Sequence, residues 1–171
     1  MAESGTVQEV ARVQPADVSV DPAVSGLIYL EARLADEARY SEWESLWADD
    51  ALYWVPMHPE DDPEVTLSYI YDNRRRIKSR VAQLNTGTRH SQTPPSVMRR
   101  TIGNLEVVAR DQDTTTVASN FALYEYRYAT TVWAGRYVHR VRLTDAGPLL
   151  VGKTVHLVNA GGALPTMSFL I

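Results

Sequence analysis

The sequence predicts an α+β fold: a cone-shaped barrel in which a long, curved, mostly antiparallel sheet wraps around N-terminal helices. Three observations carry this. Residues 98–110, 114–128, 131–143 and 149–159 form four consecutive runs rich in Val, Thr, Tyr and Trp, which suit a pleated, half-buried surface. The breaks between them hold turn chemistry, Asp111-Gln112-Asp113 and Thr144-Asp145-Ala146-Gly147-Pro148, so neighbours are antiparallel. Each run far exceeds an ordinary strand of about 5–6 residues. Long antiparallel strands twist, and a strongly curved sheet needs filling, which the amphipathic patterns ahead of it supply.

A chain of 171 residues is read as one domain over residues 21–171, with a flexible arm at residues 1–20 that contains Gly5 and Pro15 and shows no period. A net charge of −4 gives nucleic acid no electrostatic footing. The absence of cysteine excludes disulfides, thiolate nucleophiles and iron–sulfur ligation by this chain. No apolar run approaches the ~20 residues that span a bilayer, and the first residues are acidic and polar, unlike a signal peptide. A cytoplasmic protein without membrane contact is expected.

Asp21-Pro22 opens a helix, Asp as N-cap and Pro at the first helical position. Val24, Leu27, Ile28, Leu34, Ala35 and Ala38 keep helical spacing to about residue 39. Glu31, Asp36 and Glu37 lie on or beside this stripe and read as a solvated flank pairing with Arg33 or Arg39. Ser41-Glu42-Trp43-Glu44 matches a capping box and predicts a short helix starting at Glu42, ended by Asp49-Asp50. Residues 51–56 read as a strand that Pro56 confines to an edge or an end. The loop at residues 58–64 places His58 among carboxylates, but no second nitrogen ligand is spaced to join it in a metal site. Asp72 is positioned to cap a helix with Ile77, Val81 and Leu84 on its apolar stripe, and Asn85-Thr86-Gly87 to end it with a left-handed residue. The cations Arg74, Arg75, Arg76, Lys78 and Arg80 surround that helix and are read as ion-pairing with a neighbouring surface.

The stretch LIYLEARLADEARYSEWESLWADDALYWVP, the basic helix ending RVAQLNTG, Pro94-Pro95-Ser96, and the closing Leu157-Val158-Asn159 and Met167-Ser168-Phe169-Leu170-Ile171 resemble the small β subunit of aromatic-ring-hydroxylating dioxygenases. The resemblance holds one register over residues 26–171. It implies a cone-shaped barrel of the nuclear-transport-factor-2-like or scytalone-dehydratase type. It also implies a mixed hexamer with three copies each of this chain and a larger α subunit, built on a β trimer. The Rieske 2Fe-2S cluster and the mononuclear iron would lie in that α subunit, and ferredoxin or reductase would be met only through it. The implied role is a non-catalytic scaffold for O2- and NAD(P)H-dependent hydroxylation of an aromatic compound. Two positions depart from the family pattern: His90 stands where an aromatic is common, and Val97 where Arg is common.

The residues agree with a supporting role. A Rieske centre needs two Cys and two His, and a non-haem iron triad needs two His and a carboxylate. The chain has no Cys, and His58, His90, His139 and His156 are not spaced three or four apart on a helix. No phosphate loop, GxSxG elbow or nicotinamide fingerprint occurs. The rival reading is a free-standing dehydratase or isomerase using His139, His156, Asp36, Tyr29 or Tyr53 for proton transfer. It follows if a tight turn between Leu143 and Leu149 gathers Trp133, Tyr137 and His139 with Leu150, Thr154 and His156 on one face. The same runs also predict an interface: Tyr124 and Tyr126 on one strand, Arg136, Arg140 and Arg142 on its neighbour, and Arg99 facing Glu125 if Arg110 faces Thr114.

Overall fold

The structure, a computed structural model, describes residues 14–86, 94–162, 164, 165 and 167–171. The sequence readings for His90 and Gly87, and for the arm up to residue 13, lie outside these. Helices α1 (Pro22–Asp36) and α2 (Tyr40–Ser45) are followed by strands β1 (Trp47–Pro56) and β2 (Ser68–Asn73), then helix α3 (Arg74–Asn85). Strands β3 (Val97–Asp111), β4 (Thr114–Tyr126), β5 (Thr130–Thr144) and β6 (Gly147–Leu157) complete the fold. The strands form one curved, open sheet in the order β2-β1-β6-β5-β4-β3. β3 to β6 are an antiparallel meander as the runs predict, whereas β1 joins β6 in parallel. No helix among the described residues is long and apolar enough to cross a membrane.

Helix α1 begins as predicted, with the Asp21 carboxylate accepting from the Ala23 amide at 2.7 Å and Pro22 in the first turn. It stops short of residue 39 because Ala38 turns left-handed, at φ 56°, and the Arg39 amide closes back on the Leu34 carbonyl at 2.9 Å. The predicted capping box at Ser41 does not form. α2 starts at Tyr40 behind Arg39, Glu44 is drawn to Arg74 at 2.9 Å, and Ser41 accepts from Asn85 at 3.1 Å. The strand expected from residue 51 starts at Trp47, because the parallel pairing with β6 reaches back to Trp47 opposite Leu150. Asn73, not Asp72, caps α3, its side chain accepting from the Arg76 amide; Asp72 is held instead by Arg80 at 2.6 Å. Together with Arg74–Glu44, that pair bears out ion pairing by the basic helix.

Two registers differ from unbroken alternation. In β3 one extra residue between Gly103 and Glu106, with Asn104 at φ 53°, and another between Val107 and Ala109 shift the pairing with β4. Arg99 therefore opposes Tyr124 and Arg110 opposes Thr115, so Arg99 does not face Glu125, which accepts from Ser96 and Trp133 at 2.7 and 2.9 Å. Between β5 and β6, Arg140 opposes Gly152 but Val141 opposes Leu150, leaving Val151 unmatched. Beyond that bulge the faces exchange. Lys153 and Val155 join Leu150 inside, while Thr154 and His156, expected there, oppose Val138 and Arg136 on the outer face.

The core fills the hollow between the sheet and α1, with Ile28, Trp43, Tyr53, Phe121, Leu123 and Tyr137 among its buried members. The segment 14–20 lies along β3: Val107 donates to the Asp17 carbonyl at 2.7 Å, and Arg110 pairs with Asp17 at 2.6 Å. This covers part of an edge strand that would otherwise expose its backbone.

Candidate functional site

Two features stand out: a charged cluster inside the hollow and an exposed apolar patch outside it. The inner cluster begins with Glu31, placed by α1 in phase with Val24, Leu27, Ile28, Leu34 and Ala35 and just as buried as they are. A carboxylate in that position needs partners, since isolated burial of a charge costs several kcal/mol or more. Glu31 Oε1 accepts from Lys153 Nζ at 2.9 Å and from Trp43 Nε1 at 2.7 Å. This corrects the reading of Glu31 as a solvated flank paired with Arg33 or Arg39. Glu37 does pair with Arg39, at 3.4 Å. Asp36 lies at the mouth of the hollow and grips Arg100, accepting from its Nε at 2.7 Å and its amide at 2.8 Å.

Lys153 and Arg100 neutralise the two carboxylates, and both cations reach further. Lys153 Nζ donates to the Ile171 main-chain oxygen at 2.8 Å and stands 4.3 Å from the Tyr137 ring centre. Arg100 donates to the Tyr137 hydroxyl at 3.2 Å and the Leu170 carbonyl at 2.8 Å. Tyr137 stacks on Phe121, their planes 2° apart and ring centres separated by 3.8 Å. Burial works to raise the Glu31 carboxyl's pKa, but the Lys153 ammonium, with His139 and Arg100, outweighs it and holds the group below the usual carboxylate range. Burial lowers the Lys153 ammonium to about 8 against the pull of Glu31. Burial likewise lowers the His139 imidazole and raises the Tyr53 and Tyr137 hydroxyls. His139 Nε2 is 3.9 Å from Glu31 Oε2, too far for a direct hydrogen bond.

The structure thus unites part of the candidate proton-transfer set and separates the rest. His139 and Tyr53 are fully buried in the hollow and Asp36 is at its mouth. Tyr29 is half exposed, beside a cleft of about 340 Å³ that Asp36, Arg99 and Arg100 also line. His156 is on the outer face, its pKa lowered by burial and by Arg136. Residues 169–171 occupy the hollow: Phe169, Leu170 and Ile171 are buried, and Tyr53 donates to the Ile171 oxygen at 2.8 Å. Sequence reasoning missed Glu31, Trp43, Arg100 and Lys153 as one cluster. The available signals were a carboxylate in step with an apolar helical stripe and a lone lysine within the run LLVGKTVHL.

The outer patch combines Tyr124, Tyr126, Val97 and Val132, which are 49%, 55%, 63% and 54% exposed. Val97 opposes Tyr126, and Tyr124 lies between Arg99 and Val132. Arg136 pairs with Glu106, and Arg142 with Asp50 at 2.7 Å, while Arg140 packs over Gly152. Among the described residues no group of three or more His, Asp or Glu is placed to hold a metal ion. With no Cys in the chain, its residues do not fit a Rieske cluster.

A family model described as "Ring hydroxylating beta subunit" matches residues 30–161. The chain belongs to this family. Among the relatives of this ring-hydroxylating β-type chain is the small oxygenase component of the p-cumate 2,3-dioxygenase system of Pseudomonas putida, 29% identical over 78% of this chain and 77% of that protein. The β subunit of the benzoate 1,2-dioxygenase from Burkholderia mallei superposes with a TM-score of 0.72 at 26% identity, covering 89% of this chain and 99% of that one. A scytalone-dehydratase-like protein of Novosphingobium aromaticivorans shares the fold alone, with a TM-score of 0.59 at 13% identity over 80% and 82% of the two chains.

Proposed function

We propose that this β-type chain is a structural scaffold in a multicomponent aromatic-ring-hydroxylating dioxygenase. It holds α subunits that carry the Rieske 2Fe-2S cluster and the mononuclear iron, in a mixed hexamer of three copies of each chain built on a β trimer. Ferredoxin or reductase reaches the assembly through the α subunit, and the assembly works in the cytoplasm. Hydroxylation of an aromatic compound with O2 and NAD(P)H is the reaction of the whole; no step of it is assigned to a residue of this chain.

The observation that carries this reading is the contrast between inside and outside. Inside, the hollow between the sheet and α1 is filled by residues 169–171. Outside, tyrosines and valines are exposed together on adjacent strands, the composition of an interface core, with Arg99 beside Tyr124. Tyr124 and Tyr126 are assigned to the subunit interface with Arg99 beside them, and Arg136, Arg140 and Arg142, opposite Asn120, Thr116 and Thr114, to its continuation farther along β4 and β5.

Co-expression with the oxygenase α chain tests the proposal. The expected result is one particle containing both chains, with all iron lost when the α chain is omitted. Tyr124→Asp with Tyr126→Asp breaks that particle while the isolated chain keeps its far-UV circular dichroism. Turnover of a small cyclic substrate by the isolated chain, abolished by His139→Ala, would overturn the scaffold reading. Assembly undisturbed by the tyrosine changes would remove the patch from the interface.

A further inference from the structure

We propose that the hollow is a peptide-binding site whose resident ligand is the chain's own segment 167–171, docked as a separable plug. The contacts of this segment are those of a bound peptide rather than of a strand or helix. Ile171 is clamped through its main chain: its amide donates to the Tyr53 hydroxyl at 3.1 Å, and its oxygen accepts from that hydroxyl and from Lys153 Nζ, both at 2.8 Å. The preceding carbonyl, of Leu170, accepts from Arg100 at 2.8 Å. The Leu170–Ile171 peptide unit and the Ile171 oxygen are thereby read by three side chains from three different strands, β1, β3 and β6. Side-chain recognition is apolar: Phe169 meets the Trp133 ring edge-on at 5.5 Å, and Phe169, Leu170 and Ile171 are at most 2% exposed. The ligand class is therefore a short apolar peptide offering one N–H and two carbonyl-type oxygens.

The frame around the plug has bonds of its own. Glu31 holds Lys153 and Trp43, Asp36 holds Arg100, and Tyr137 stacks on Phe121, none through residues 167–171. The turn after β6 is pinned separately, by the Tyr69 hydroxyl donating to the Ala160 carbonyl at 2.6 Å. Removing the plug thus takes acceptors from Lys153, Tyr53 and Arg100 while leaving the carboxylates that neutralise the two cations. A preorganised, charge-balanced, aromatic-walled site with unfilled donors is what remains, and preorganisation is what makes a peptide bind tightly.

The test uses the chain lacking residues 167–171 and a synthetic pentapeptide of residues 167–171. The truncated chain is expected to keep its far-UV circular dichroism and to melt lower than the intact chain. The pentapeptide is expected to bind saturably, read by fluorescence of Trp43 and Trp133, and at 100 times its Kd to raise the folded-to-unfolded ratio about 100-fold. A scrambled pentapeptide has no effect, and Lys153→Met in the truncated chain weakens binding at least tenfold. A folded truncated chain that ignores the pentapeptide, or binds the scrambled one equally, overturns the proposal. Should truncation prevent folding, hydrogen exchange of the intact chain decides. The Leu170 and Ile171 amides are expected to exchange at least tenfold faster than the most protected amides of β5 and β6; exchange only through global unfolding overturns the proposal.

Discussion

Lys153 Nζ and Glu31 Oε1 meet at 2.9 Å with no exposed side-chain surface on either residue, one from the strand beside β1 and the other from the first helix. A pair this deep is costly to form and more costly to break from one side, because the survivor is left charged in the interior. Glu31→Gln is expected to destabilise the fold by about 3–5 kcal/mol. Adding Lys153→Met should recover a large part of that loss. Urea unfolding of the two single variants and the double variant closes the cycle.

His139 predicts the pH dependence. The charged groups facing it are Glu31 from α1, Lys153 from β6 and Arg100 from β3, and its pKa is lowered from 6.5 chiefly by burial. A histidine depressed in the folded state leaves stability intact above pH 6.5; below it, only the unfolded chain takes up the proton. Stability should therefore fall with pH, by up to about 1.4 kcal/mol per pH unit. His139→Leu should reduce this slope below pH 6.5 and leave the share due to His156, whose pKa burial and Arg136 also lower. Below the ordinary Glu value of 4.5 the loss steepens in both proteins, as the unfolded Glu31 protonates before the folded one. Thermal melts across pH check both windows.

Gly135 is a position where a single methyl group has nowhere to go. A Cβ there would lie 2.1 Å from the His156 main-chain oxygen and 3.0 Å from Phe121 Cε1. Gly135→Ala is expected to cost roughly 1–3 kcal/mol, at the upper end because the nearest atom is backbone. Gly103→Ala, where nothing lies within 4 Å, should instead be neutral or stabilising by about 0.5 kcal/mol. Denaturant midpoints of the two variants separate close approach from mere chain flexibility.

Ala38 sits left-handed behind α1, at φ 56°. That conformation costs an L-residue about 1–2 kcal/mol, while glycine gains unfolded-state entropy worth about 0.4–1 kcal/mol. Ala38→Gly should therefore stabilise the chain by roughly 0.5 kcal/mol, and a melting temperature below that of the unaltered chain would contradict the helix ending described here.

The meander was legible from alternation because its middle strands bury every second residue, Phe121 and Leu123 in β4 and Tyr137, His139 and Val141 in β5. The first helix was legible from Asp21-Pro22 and its apolar stripe. The parallel junction of β1 with β6 was not, since local pattern says nothing about which distant strands meet. Glu31 escaped because a carboxylate on a helix reads as solvated until its counter-charge, over a hundred residues away in sequence, is seen beside it. His156 was misplaced because one unmatched residue, Val151, changes which side every later residue faces.

That unmatched residue fixes more than its own place in the strand. Were the bulge straightened so that Val151 opposed Arg140, Lys153 would come opposite Val138 and rotate toward solvent, and Thr154 and His156 would turn inward. Glu31 would lose its counter-ion and the closing residues their anchor, though the composition had not changed. The parity of one short stretch thus sets the polarity of the whole interior.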